Sequence, residues 1–225
     1  MLVVVLALVA GCGADELRAA PSESSAAAQL PDHLRLLSAA GKGDVVTVRR
    51  LLDQGVPIDA VNDQEHTALI TAAYENQVEV AEVLVEAGAD VNRKDLSQQS
   101  AYLIATSDGH LGLLRLTLRH GADVASTDSY DGTGLIRAAH RGHTEIVREL
   151  IAAGIDVDHV NRLSWTALIE AVLLGDGGPN HTDVVRQLVA AGADTTIADR
   201  SGFTALDYAR TGGYTEIVGL LEGVP

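Results

Sequence analysis

The chain of 225 residues has one cysteine, one tryptophan, one phenylalanine and five prolines. A single thiol, Cys12, cannot close an intramolecular disulfide or build a thiolate metal cluster, so neither device can hold this fold together. Aromatic residues are only 3% of the sequence. Ala, Leu, Val and Gly dominate instead, the side chains of helices packed closely on helices. Basic residues are scarce too, 16 Lys and Arg against 31 Asp and Glu, for a formal net charge of −15 and a pI near 4.7. That surplus repels phosphate backbones and no local Lys/Arg cluster offsets it, so nucleic acid is not an expected partner.

The sequence opens on an apolar run at residues 2–10, too short to cross a bilayer of about 30 Å at about 1.5 Å per helical residue. It has the length of a signal-peptide core. The run leads into Val9-Ala10-Gly11-Cys12, which resembles the lipobox of bacterial lipoproteins. The resemblance implies that residues 1–11 are a signal peptide and that Cys12 is lipidated, with two acyl chains giving the stable anchorage that one chain does not. Residues 12–31 then read as the lipidated cysteine and a flexible tether, rich in Ala, Ser and acidic residues, interrupted by Pro21 and Pro31, without apolar periodicity. The expected location is extracytoplasmic, with the membrane touched only through the lipid.

From residue 32 onward the sequence repeats itself. Gly55, Gly88, Gly121, Gly154 and Gly192 follow one another at 33, 33, 33 and 38 residues. A second marker keeps the same register: His66-Thr67-Ala68-Leu69-Ile70, Gln99-Ser100-Ala101-Tyr102-Leu103, Gly132-Thr133-Gly134-Leu135-Ile136, Trp165-Thr166-Ala167-Leu168-Ile169 and Phe203-Thr204-Ala205-Leu206-Asp207. A third is an acid or amide: Asn62, Asp95, Asp128, Asn161 and Asp199.

These three markers resemble the ankyrin repeat, in which a finger-like β-turn precedes two antiparallel helices. The resemblance implies an all-α repeat fold, a solenoid of about six stacked helix-turn-helix units with β-turn fingers, over residues 32–225. Physical reasons support the register. Thr67, Thr133, Thr166 and Thr204 stand where a hydroxyl caps the first helix, and Gly154 and its equivalents stand where the second helix exits with φ > 0. Ala72-Ala73 and Ala138-Ala139 permit close helix approach. Ile146, Val147, Leu150 and Ile151 make one apolar stripe.

Four departures carry expectations. Ala replaces the family's Pro in most units, and Ile or Leu replaces its His, so polar bracing between fingers should be weaker. Residues 33–61 read as a capping unit, with Arg49 and Arg50, like Arg210 and Glu222 at the other end, supplying a polar outer face. Residues 176–180 are an inserted, solvent-exposed loop in the fifth repeat. The third repeat should be the weakest, with Tyr102 for Leu, Gly112 and Thr117 in its second helix, and Gln98 where a turn Gly belongs.

No constellation for catalysis stands out, and the chain reads as a non-enzyme without cofactor or metal. His110, His143 and His181 occupy the family's turn slot, and no third ligand lies at a zinc-like spacing. Gly175-Asp176-Gly177-Gly178 runs into Pro179, which removes a donor that a phosphate cradle needs. The resemblance instead directs attention to the fingertips and the exposed faces of the first helices, which line a groove. Trp, Tyr and Arg are common hot spots, so Tyr74, Tyr130, His140, Arg141, Arg162, Trp165 and Phe203 are the candidate contacts. The expected function is monomeric binding of a protein, a basic one given the charge. A protective or inhibitory accessory role, in toxin immunity or oxidative stress, is the rival reading.

Overall fold

A computed structural model describes residues 30–223; the expected signal peptide, Cys12 and nearly all of the tether lie outside these residues. Among the described residues the chain forms twelve helices in six pairs: α1 (Asp32–Gly41) with α2 (Val45–Asp53), α3 (Ala68–Tyr74) with α4 (Val78–Glu86), α5 (Ala101–Asp108) with α6 (Leu111–Arg119), α7 (Gly134–Arg141) with α8 (Thr144–Ala152), α9 (Ala167–Leu173) with α10 (Pro179–Ala190), and α11 (Ala205–Gly212) with α12 (Thr215–Glu222). First helices pack on first helices and second helices on second helices from each pair to the next. This makes an α-solenoid.

Each first helix starts where its sequence provides a cap. Thr67, Ser100, Thr133, Thr166 and Thr204 sit in extended backbone, and each hydroxyl accepts the N–H three residues on. Such a cap contributes about 1 kcal/mol. Each second helix of the first five pairs runs into a glycine with φ between 81° and 95°, at Gly55, Gly88, Gly121, Gly154 and Gly192, a left-handed exit that a Cβ would strain. Ala72, Ala73, Ala138 and Ala139 are fully buried. So are Ile70, Leu103, Ile136 and Ile169, the apolar residues that stand in place of the family's histidine.

The fingers are organised by the acid-or-amide marker. Asn62, Asp95, Asp128, Asn161 and Asp199 each accept, on one side-chain oxygen, the backbone N–H groups two and four residues on. Between those two donors the chain passes through a residue of positive φ: Glu65, Gln98, Asp131, Ser164 or Gly202.

Polar bracing between repeats is not lost with the family's histidine; other side chains supply it. The His143 ring donates to the Ser107 carbonyl at 3.1 Å, and one repeat later His181 donates to the His140 carbonyl at 3.0 Å. Lys94 donates to the Thr127 carbonyl at 2.6 Å, and the Tyr74 hydroxyl to Asp95 at 2.8 Å. The insertion also differs from expectation. Pro179 and Asn180 belong to α10, which runs 12 residues against 8 or 9 in the other second helices. Proline at its first turn starts the helix early, because the missing N–H would have had no partner there.

The third repeat, too, is better satisfied than its sequence suggests. Gln98 takes the same φ > 0 as Glu65, Asp131 and Ser164, so a non-glycine is the rule at this turn. The buried Thr117 hydroxyl bonds back to Leu114 O at 2.9 Å. Tyr102 is buried, with its hydroxyl 3.3 Å from Val124 O. Gly112 alone remains a cost, as a glycine inside a helix.

Candidate functional site

The fourth and fifth repeats enclose a pocket of about 170 Å³ between their fingers and first helices. Helix α7 contributes Ile136 and His140, one turn apart on the same face, with Arg137 beside them. Glu170 comes from α9, and Leu174 from the residue that closes that helix. The two fingers add Tyr130, Leu163 and Trp165 around the rim, anchored through Asp128 and Asn161. Tyr130, Leu163 and Leu174 are exposed apolar side chains, and here they lie together rather than scattered.

The polar floor is specific. Asp128 and Asn161 hold their own fingers through one oxygen each, which leaves the second group of each side chain to meet the residue nine positions on. Asp128 Oδ2 faces the Arg137 guanidinium at 3.6 Å. Asn161 Nδ2 donates to Glu170 Oε1 at 2.9 Å. In the sixth repeat the Tyr208 hydroxyl donates to Asp199 at 2.6 Å. An acid at the finger is therefore met by a donor, and a carboxylate on the helix is met by an amide at the finger.

Glu170 is 4% exposed. Its Oε1 is satisfied by Asn161, but among the described residues Oε2 has no hydrogen-bond partner. His140 Nδ1 stands 3.5 Å away, with no hydrogen bond between them. Burial raises the Glu170 carboxyl to about 7, against smaller lowering effects from the Arg137 charge and the Asn161 bond. Burial likewise pushes the His140 pKa down, assisted by Arg137, Arg141 and His181.

Of the expected contact residues, the structure brings Tyr130, His140 and Trp165 into this pocket. It places the others elsewhere. Arg162 reaches back to the Ser129 carbonyl at 3.0 Å, and its backbone N–H donates to Tyr130 O, so it ties finger five to finger four. Arg200 repeats the brace one finger on, through Ser164 and the Arg162 carbonyl. Tyr74 lies two repeats away against His66, ring centroids 5.3 Å apart. Phe203 packs on Tyr208 at 5.6 Å, and Arg141 is exposed at the end of α7. Asp128, Arg137, Asn161 and Glu170 line the same pocket without being among the expected contacts. The nine-residue offset that pairs them was a readable signal.

Residues 5–95 and 102–199 match the family model described as ankyrin repeats in three copies. The chain belongs to the ankyrin-repeat family. Among solved structures it is similar to an ankyrin repeat domain from Acinetobacter baumannii, with 50% identity and a TM-score of 0.81 over 84% of this chain and 96% of that one. An ankyrin-repeat protein of Enterococcus is 37% identical, with a TM-score of 0.82 over 87% of this chain and all of that one. The human ASB11 ankyrin repeat domain is 25% identical, with a TM-score of 0.72 over 83% and 81%. No curated protein matches. Ankyrin repeats generally mediate protein–protein interaction, and the fold is typically a non-enzymatic scaffold.

Proposed function

We propose that this ankyrin-repeat protein captures a protein partner in its groove, as a monomer, and that the pocket between repeats four and five is the centre of the contact. The observation that carries this reading is the gathering of Trp165, Tyr130, Leu163 and Leu174 around a concave floor that holds a buried carboxylate. A cluster of half-exposed aromatic and aliphatic side chains with polar groups beneath is the composition of an interface hot spot. The acidic surplus favours a basic partner.

The partner is met outside the cytoplasmic membrane, with the chain held there by lipid on Cys12. Support for this part comes from the Val9-Ala10-Gly11-Cys12 sequence and from the two-chain anchorage it implies. Capture from detergent-solubilised membranes tests both parts. The wild-type chain should retain a partner that Trp165→Ala loses and Gln64→Ala keeps, and Cys12→Ser should leave the membrane fraction. Equal capture by all three chains would move the contact elsewhere, and a wholly cytosolic wild type would remove the anchor.

A further inference from the structure

We propose that the pocket between repeats four and five is a receptor for one lysine side chain of the partner, whose ammonium is bound by the free oxygen of Glu170. This rests on the groove reading above and specifies what the groove takes.

Four observations converge on an ammonium. First, Glu170 Oε2 is buried, lines the pocket and has no partner among the described residues. A buried carboxylate oxygen left unpaired is costly, and a cationic donor removes that cost. Second, the neighbouring cation does not fill the role, because Arg137 is set against Asp128, and the carboxyl stays raised to about 7 despite it. Third, only one oxygen is available, since Asn161 occupies the other. A guanidinium prefers two parallel bonds to a carboxylate, whereas an ammonium is a point charge content with one. His140 Nδ1, 3.5 Å from the same oxygen, is a second acceptor for the ammonium when the ring is neutral, the form its burial favours, and carries its proton on Nε2.

Fourth, the walls suit the rest of a lysine. Leu163 and Leu174 are apolar and exposed, a surface for the four methylenes of the stem. Trp165 and Tyr130 line the same pocket and can offer ring faces to the charge. A free amine has the same head group. The pocket lies between fingers that Arg162 and Arg200 brace to their neighbours, and a rim held in place this way suits an amine carried on a polypeptide.

Trp165 is the only tryptophan, so its fluorescence reports the pocket directly. The full chain is titrated with Gly/Ser pentapeptides, blocked at both ends, that carry one central Lys, Arg or norleucine, and with n-butylamine. The lysine peptide should give a saturable change at about millimolar concentration, with the arginine and norleucine peptides at least about tenfold weaker. Glu170→Gln preserves the acceptor for Asn161 and should weaken the lysine peptide by about tenfold or more. Leu174→Lys, at an exposed position one turn from Glu170, should compete from within the chain and abolish the response.

Equal responses to norleucine and lysine, an unchanged affinity in Glu170→Gln, arginine equal to lysine, or no saturation by about 20 mM would each overturn the proposal. Saturation by n-butylamine but not by the lysine peptide would assign the pocket to a free amine and overturn it equally. The groove reading is judged separately. A captured partner indifferent to Glu170→Gln defeats the lysine receptor alone, whereas a lysine response without any captured partner defeats the groove reading alone.

Discussion

At the scale of single residues, Glu170 sets a pH dependence whose sign follows from its burial. Its folded pKa of about 7 lies above the ordinary 4.5, so between those values the folded chain holds a proton that the unfolded chain has released. Stability from this group is complete below pH 4.5 and is lost as pH rises through 7, by up to about 3 kcal/mol. His140 acts in the opposite sense, because its lowered pKa costs stability as pH falls through the ordinary 6.5. Comparing the wild type with Glu170→Gln isolates the carboxyl. The variant should unfold at higher urea than the wild type at pH 8 and at nearly the same urea at pH 4. A difference of equal size at both pH values would remove the ionised, buried carboxylate from the account.

Tyr102 and Gly134 make a second residue-level case. In the repeat register Tyr102 stands where Leu69, Leu135, Leu168 and Leu206 stand, and Gly134 where Ala68, Ala101, Ala167 and Ala205 stand. The structure joins the two exceptions. A Cβ on Gly134 would lie 2.7 Å from the Tyr102 hydroxyl oxygen and 2.9 Å from the Thr106 methyl, so the larger residue in repeat three is admitted by the smaller one in repeat four. Gly134→Ala should therefore cost about 1–3 kcal/mol through overpacking. Combined with Tyr102→Leu it should cost less than the sum of the two single changes by at least about 0.5 kcal/mol. Strict additivity in a double-mutant cycle would show that the pair is not coupled.

At the scale of elements, the helices were legible and the contacts between them were not. Threonine caps and exit glycines are local devices, set by residues within a few positions of one another, and so they could be located from spacing alone. The early start of α10 at Pro179, the inter-repeat bonds of His143 and His181, and the tolerance of Gln98 depend on what the neighbouring repeat presents. The pocket was half legible for the same reason. Trp165, Tyr130 and His140 could be chosen by residue type and groove position, while Glu170 and Asn161 matter because folding buries one and aims the other at it.

Helix α6 offers the clearest prediction at this scale. A Cβ on Gly112 would meet the Val78 methyls at 3.7 and 3.8 Å, which is ordinary contact. Gly112→Ala should stabilise α6 by about 0.5–1 kcal/mol. Hydrogen exchange over residues 113–119 should slow by a few-fold while α12, three repeats away, is unaffected, since coupling in a repeat array passes mainly between neighbours. Unchanged exchange in α6 would mean that Gly112 is not the remaining weakness of the third repeat.

At the scale of the whole molecule, the two parts of the charge pattern act on different steps of association. The surplus of 31 acidic over 16 basic residues produces a long-range field that draws in a basic partner before any contact is made. Surface charges more than about 10 Å from the partner are screened at 0.1 M salt. The Glu170 carboxylate is buried beneath the pocket rim, where screening by salt is weak. For a captured basic partner, raising salt from about 0.02 to 0.5 M should slow association markedly and change dissociation little. Glu170→Gln should do the reverse, accelerating dissociation about tenfold while leaving the salt slope of association nearly as it was, because it removes at most one of many charges. Stopped-flow association and dissociation rates for the two chains across that salt range separate the effects. If Glu170→Gln instead flattened the salt slope and left dissociation unchanged, the carboxylate would belong to the steering field and the pocket would not be where the partner is held.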